Sequence, residues 1–138
     1  MLKKIFKKKN TENRSILTAA LLIHAAKIDE NYTDMEKKII LKAIEQLNEI
    51  NSVEAEKLFK LAEKKEEESN QIVEFTKEIK KHPIEFRYKI IEIIWKIVYS
   101  DGVSDSFESN LIRRICGLLY ISDKDNGIIK TKVHNSFK

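Results

Sequence analysis

From Thr11 onward apolar residues recur every three or four positions, and almost nothing interrupts them: the 138-residue chain holds three glycines and one proline. That spacing lays apolar side chains along one face of an α-helix. So few turn residues exclude a β-sandwich or barrel, whose hairpins need them at short intervals. No stretch shows the period of two that a half-buried strand requires. The expected fold is all-α, a single bundle of about seven helices. Thr11 is expected to cap a helix running to about Ile28, and a second runs from Thr33 to about Ile50 with Ile39, Ile40, Ala43, Ile44 and Leu47 inward. Ser52 is expected to cap a third, with Leu58, Phe59, Leu61 and Ala62 apolar and the charged run Glu63 to Glu68 as a solvated face. A fourth follows Asn70 with Ile72, Val73, Phe75 and Ile79. Pro83 fits the first turn of a fifth, where a missing N–H costs nothing. That helix runs to about Ser100, is apolar on more than one side, and is expected to be central. Asp105 caps a sixth, and Ser122 with Asp125 resembles a capping box opening a seventh with Ile128, Ile129 and Val133.

The net charge of +4 is unevenly placed. Lys3, Lys4, Lys7, Lys8 and Lys9 come before residue 10; taking these five from the 26 basic side chains leaves 21 against 22 acidic ones, a net of −1. The expected organisation is a basic, flexible tail over residues 1–10 and a near-neutral helical domain over 11–138. The simpler view of the tail is a solvated terminus. The sharper view, prompted by Leu2, Ile5 and Phe6 between the lysines, is an amphipathic contact with anionic lipid. No specific nucleic-acid partner is expected. No apolar run approaches the ~18 residues of a membrane span, and no secretory h-region follows the lysines. One cysteine excludes an internal disulfide framework. The expected location is the cytoplasm, with peripheral contact at the inner membrane if the tail docks.

Two stretches repeat. His24-Ala-Ala-Lys-Ile-Asp29-Glu-Asn-Tyr-Thr33-Asp-Met-Glu36 aligns with Lys96-Ile-Val-Tyr-Ser-Asp101-Gly-Val-Ser-Asp105-Ser-Phe-Glu108 at a constant offset of 72. Apolar positions keep that shift, Leu22 with Ile94, Ile40 with Ile112, Leu47 with Leu119. Thr33 with Glu36, and Asp105 with Glu108, match the capping box. Asp29 and Asp101 lie near helix C-termini, where the dipole disfavours negative charge, so each wants a donor or a cation. If the two helix pairs pack about a pseudo-twofold axis, Asp29, Glu36, Asp101 and Glu108 could form one carboxylate cluster. Oxygen-only ligation favours Ca²⁺ or Mg²⁺. Spacing alone leaves two alternatives, a metal site and plain helix capping. The loops are not EF-hands: counting from Asp29, Asp34 replaces the position-6 glycine and Ile40 the position-12 glutamate.

The run Trp95-Lys-Ile-Val-Tyr99-Ser-Asp101-Gly102, then Glu108-Ser-Asn-Leu111-Ile-Arg113-Arg114-Ile, then Gly117-Leu-Leu-Tyr120-Ile-Ser122-Asp123 resembles the C-terminal half of TerB-like domains. These are the tellurite-resistance-associated domains, and the similarity is to a small, largely uncharacterised bacterial subgroup. Ala20-Leu-Leu-Ile-His24-Ala-Ala-Lys-Ile-Asp29 resembles the family's first acidic loop, and the likeness covers about Thr11 to Val133. The resemblance implies about seven helices in two pseudo-symmetric halves, with paired acidic loops proposed to bind metal. Asp29 and Asp101 match the loop aspartates, and Glu36 and Glu108 the glutamates opening the next helix. The first loop departs at Glu30, where the family more often has Gly, as at Gly102. The resemblance implies associations with tellurite and chemical stress, phage defence and membrane-linked complexes, and names no reaction.

Other side chains point away from catalysis. His24, His82 and His134 show no paired metal-ligand spacing. His24 is expected to be a core or helix-surface histidine, His82 a cap or loop residue, and His134 to lie near a fraying end. Cys116 falls inside an apolar stripe with nothing basic spaced to activate it. Trp95 is expected in the core, and Arg113 and Arg114 in ion pairs with the acidic loops. The leading expectation is a non-enzymatic module that binds a divalent cation and protein partners under stress. The alternatives are a metal-free helical scaffold docking on the inner membrane through its lysines and, weakest, a metal-dependent hydrolase.

Overall fold

The computed structural model describes residues 2–28, 32–69, 71–100 and 106–137, with side chains described for 13–28, 32–69, 71–100 and 110–137. These residues form seven helices: α1 Leu2–Lys27, α2 Asp34–Asn48, α3 Ser52–Glu68, α4 Ile72–Ile79, α5 Ile84–Tyr99, α6 Ser106–Leu118 and α7 Asp123–Ser136. No strand occurs among the described residues.

Two helices make the centre. α1 buries every residue from Leu17 to Ile23, and α5 buries Ile90, Ile91, Ile93, Ile94, Trp95, Ile97 and Val98. Each fully buried Leu or Ile of this kind contributes ~1.5–3 kcal/mol. α1 packs on α5. The remaining contacts repeat in pairs: α2 and α3 pack on α1 and on each other, as α6 and α7 pack on α5 and on each other. α2 also reaches α5, and α6 also reaches α1. This is the pairing that a pseudo-twofold exchange of α1–α3 with α5–α7 requires. α4 follows the first three helices and packs against α1 and α6.

Trp95 is the largest side chain fully inside, 2% exposed, and its Nε1–H donates to Asn126 Oδ1 at 2.9 Å. A buried indole needs such a partner. Arg87 ties two turns together, donating from Nε to the His82 carbonyl at 3.0 Å and from Nη1 to the Leu119 carbonyl at 2.6 Å.

Several helix starts differ from the expectation. α1 begins at Leu2 instead of at a Thr11 cap. Nothing from Leu2 to Thr11 breaks a helix, and lysine and leucine extend one readily, so the turns run through Thr11. Asn51, not Ser52, caps α3, its side chain accepting from Glu54 N. Pro83 stands at the N-cap of α5, one residue earlier than expected. Ser122 does cap α7, accepting from Asp125 N at 3.1 Å, but the Asp125 carboxylate accepts from Tyr88 Oη at 2.8 Å. The cap expected at Asp105 lies outside the described residues. Leu61, Val73 and Ile128 are exposed. In α3 the inward stripe is Ala55, Leu58, Phe59 and Ala62, and in α4 it is Ile72, Phe75, Thr76 and Ile79. Leu61 and Val73 fall off those stripes by one helical step.

Candidate functional site

The first acidic loop leads from α1 into α2, and its far side is built by a capping box. Thr33 Oγ1 accepts from Glu36 N at 3.1 Å, and Glu36 Oε1 accepts from Thr33 N at 2.9 Å. Thr33 Oγ1 also donates to the same carboxylate oxygen at 3.0 Å. These bonds satisfy orphan donors of the helix N-terminus and hold Glu36 at 2% exposure. The capping role read from the sequence is therefore real for Glu36. Of the other three carboxylates expected with it, Asp29 and Asp101 lie outside the described residues, as does the side chain of Glu108. Among the described residues no three histidine, cysteine, aspartate or glutamate side chains come together as a metal site.

A second charged cluster lies next to this loop. Glu66, expected in a solvated face, is 6% exposed. Its Oε2 accepts from Lys27 Nζ at 2.7 Å, and its Oε1 lies 3.2 Å from His24 Nδ1. A carboxylate only accepts, so Nδ1 is the ring nitrogen that carries the proton. Charge and hydrogen bonding together make the burial tolerable. A signal for this was present in the sequence: Ala55, Leu58, Phe59 and Ala62 define a stripe that Glu66 continues at i+4.

Tyr32 connects the two clusters. Its hydroxyl oxygen is buried and has no hydrogen-bond partner among the described residues. Burial, then the negative charges of Glu63, Glu36 and Glu66, push its pKa up. Lys37 Nζ lies 4.8 Å from the ring centroid and Lys27 Nζ 5.7 Å. The ends of α1 and α3 and the start of α2 thus surround a neutral phenol with carboxylates, with lysines over its face.

The remaining candidates sort clearly. Cys116 is buried, and burial with the nearby Asp123 pushes its thiol up to about 12. A thiol so poised is not a nucleophile at neutral pH. Trp95 is in the core, as expected. Arg113 and Arg114 are exposed on α6. His82 sits in the turn before α5, 5.1 Å from the Phe86 ring, and burial with the Arg14 charge lowers its pKa. His134 packs 5.0 Å from the Tyr99 ring. No described helix is long and apolar enough to cross a membrane.

A family model described as "Tellurite resistance protein TerB" matches residues 15–131. No curated protein and no solved structure matches the chain.

Proposed function

The chain belongs to the TerB family, and on that footing we propose that it is a non-enzymatic module that binds a divalent cation and protein partners in the response to tellurite and other chemical stress. The cation is Ca²⁺ or Mg²⁺, held by Asp29, Glu36, Asp101 and Glu108, and the site of action is the bacterial cytoplasm. The observation that carries this reading is the doubled unit. A helix, an acidic loop and a capped helix recur at an offset of 72, and the helix contacts repeat with them. The one described member of the set, Glu36, is held rigidly and out of water by its capping box. The donors are all oxygen, which suits a hard cation. When bound, the cation neutralises carboxylates that otherwise repel, and so locks each acidic loop onto the helix it leads into. Isothermal titration of the purified protein with Ca²⁺, Mg²⁺, Mn²⁺ and Zn²⁺ tests the reading. Heat of binding that Asp101→Asn diminishes supports it. Absence of heat with all four ions counts against it.

A second reading, a metal-free scaffold docking on the inner membrane, has one observation in its favour. The backbone through the lysine segment is helical, which sets Lys3 and Lys7, and Lys4 and Lys8, one turn apart. Anionic liposome binding that survives removal of residues 1–9 would end it.

A further inference from the structure

Two residues on the exposed side of α6 stand where local backbone energetics oppose them. Gly117 lies inside the helix, where glycine costs stability relative to alanine because it loses more freedom on folding. Nothing beside it asks for that glycine: among the described residues, no packed neighbour lies within 4 Å of where a Cβ would stand. Tyr120 is the reverse case. It takes the left-handed conformation, φ 57, at the helix end where glycine is the unstrained choice. Its ring is 71% exposed and meets no other ring and no cation among the described residues. Exchanging the two residue types would suit the backbone at both places. Stability is given up twice, one helical turn apart, with no described contact inside the fold in return. Strain and broken local rules of this kind concentrate at functional surfaces.

The same face carries unanswered charge. Arg113, Gly117 and Tyr120 follow one another at i, i+4 and i+7, on one side of the helix, with Arg114 beside them. Both arginines and Gly117 are exposed, as is Asn110 one turn earlier. Neither arginine has an acidic residue three or four positions away in either direction. Neither joins an ion pair or a hydrogen bond among the described residues.

We propose that this face of α6 docks an acidic segment of a partner protein. A guanidinium group is a planar fork that binds a carboxylate through paired hydrogen bonds. Arginine and tyrosine are also the side chains that most often dominate the energy of a protein interface. The bare backbone at Gly117 lets the incoming chain approach the helix closely between them. Tyr120 adds a large, rigid contact area at small entropic cost. Two cations suit the carboxylates of a peptide. A nucleic-acid backbone or an anionic membrane is held by a longer row of them, and α6 carries no other basic residue. The inference deepens the protein-binding part of the proposed function and does not involve the cation.

The test selects a phage-displayed library of short random peptides on the full chain in EDTA. Enriched peptides are then synthesised and titrated into isotopically labelled protein. Acidic sequences should be enriched, with chemical-shift changes centred on Arg113, Arg114, Gly117 and Tyr120. The variant carrying Arg113→Glu and Arg114→Glu should bind them about tenfold more weakly. Tyr120→Gly should weaken binding about tenfold while raising the urea midpoint, and Gly117→Gln should likewise bind less and unfold later. Opposite signs for binding and stability separate a docking role from a structural one. No enrichment, shifts centred elsewhere, or equal binding by the charge-reversed variant would overturn the proposal. Lower urea midpoints for both Tyr120→Gly and Gly117→Gln would also overturn it, placing their roles inside the fold. So would engagement of these residues by phosphatidylglycerol vesicles and not by peptide, which assigns the face to a membrane. Acidic peptides that bind elsewhere on the protein would end this inference and leave the protein-binding reading in place. The cation titration stands or falls separately.

Discussion

Glu66 Oε2 lies 2.7 Å from Lys27 Nζ, so a carboxylate almost wholly out of water fastens the last turn of α3 to the last turn of α1. The same carboxylate reaches His24 Nδ1 at 3.2 Å. One side chain therefore fixes the helix that feeds the first acidic loop. Glu66→Ala leaves Lys27 and His24 facing a vacated, partly buried site, and should cost ~1–3 kcal/mol. Urea unfolding checks the loss. A double-mutant cycle with Lys27→Met should return a coupling of ~1 kcal/mol or more. Additive single losses would mean that the pair is not linked.

Thr33 closes the capping box on Glu36. Thr33→Ala removes the hydroxyl that accepts from Glu36 N and should destabilise the protein by ~1 kcal/mol. Thr33→Ser keeps the oxygen and should lose much less. Thermal unfolding of the two variants side by side separates the cap from the methyl group's packing.

Tyr120 ends α6 with φ 57 and is 71% exposed. Ile121 N donates to the Cys116 carbonyl at 2.9 Å and Tyr120 N to the Gly117 carbonyl at 3.3 Å, the Schellman pattern in which glycine is usual. Tyrosine pays for its Cβ in that left-handed conformation. Tyr120→Gly should stabilise the fold by ~0.5–1 kcal/mol, the relief of Cβ strain exceeding the extra unfolded-state entropy. A drop in the urea midpoint would show instead that the exposed ring has a contact worth more than the strain.

Cys116 gives a pH dependence with a definite sign. Its folded pKa is raised from 9.0 to about 12, so above pH 9 the unfolded chain releases a proton that the folded chain keeps. The stability owed to the neutral buried thiol is complete below pH 9.0 and is lost as pH rises toward about 12. Urea midpoints of the wild type should therefore fall more steeply over that window than those of Cys116→Ala. At neutral pH the native thiol should react with a disulfide reagent far more slowly than the unfolded one.

Much of this was legible in the sequence. The period of apolar residues placed all seven helices and the central role of α5, because buried stripes depend on spacing alone. Thr33 and Glu36 were legible because a capping box is local. Glu66 was hidden by its neighbours: the run from Glu63 to Glu68 looks uniformly solvated until each residue is placed on the stripe begun by Ala55. The left-handed backbone at Tyr120 left no trace, since no glycine marks it. Asp29 and Asp101 were singled out by an unfavourable position near helix C-termini, a signal that asks for a counter-charge without locating one.

The most direct measurement is thermal unfolding with and without added cation, in the wild type and in Asp29→Asn and Asp101→Asn. A ligand held at a hundred times its Kd adds ~2.7 kcal/mol to the folded state. The wild type should melt higher in Ca²⁺ or Mg²⁺ than in EDTA, and each variant should lose most of that rise. Superimposable curves for all three proteins in EDTA, Ca²⁺, Mg²⁺, Mn²⁺ and Zn²⁺ would contradict cation binding at the paired acidic loops.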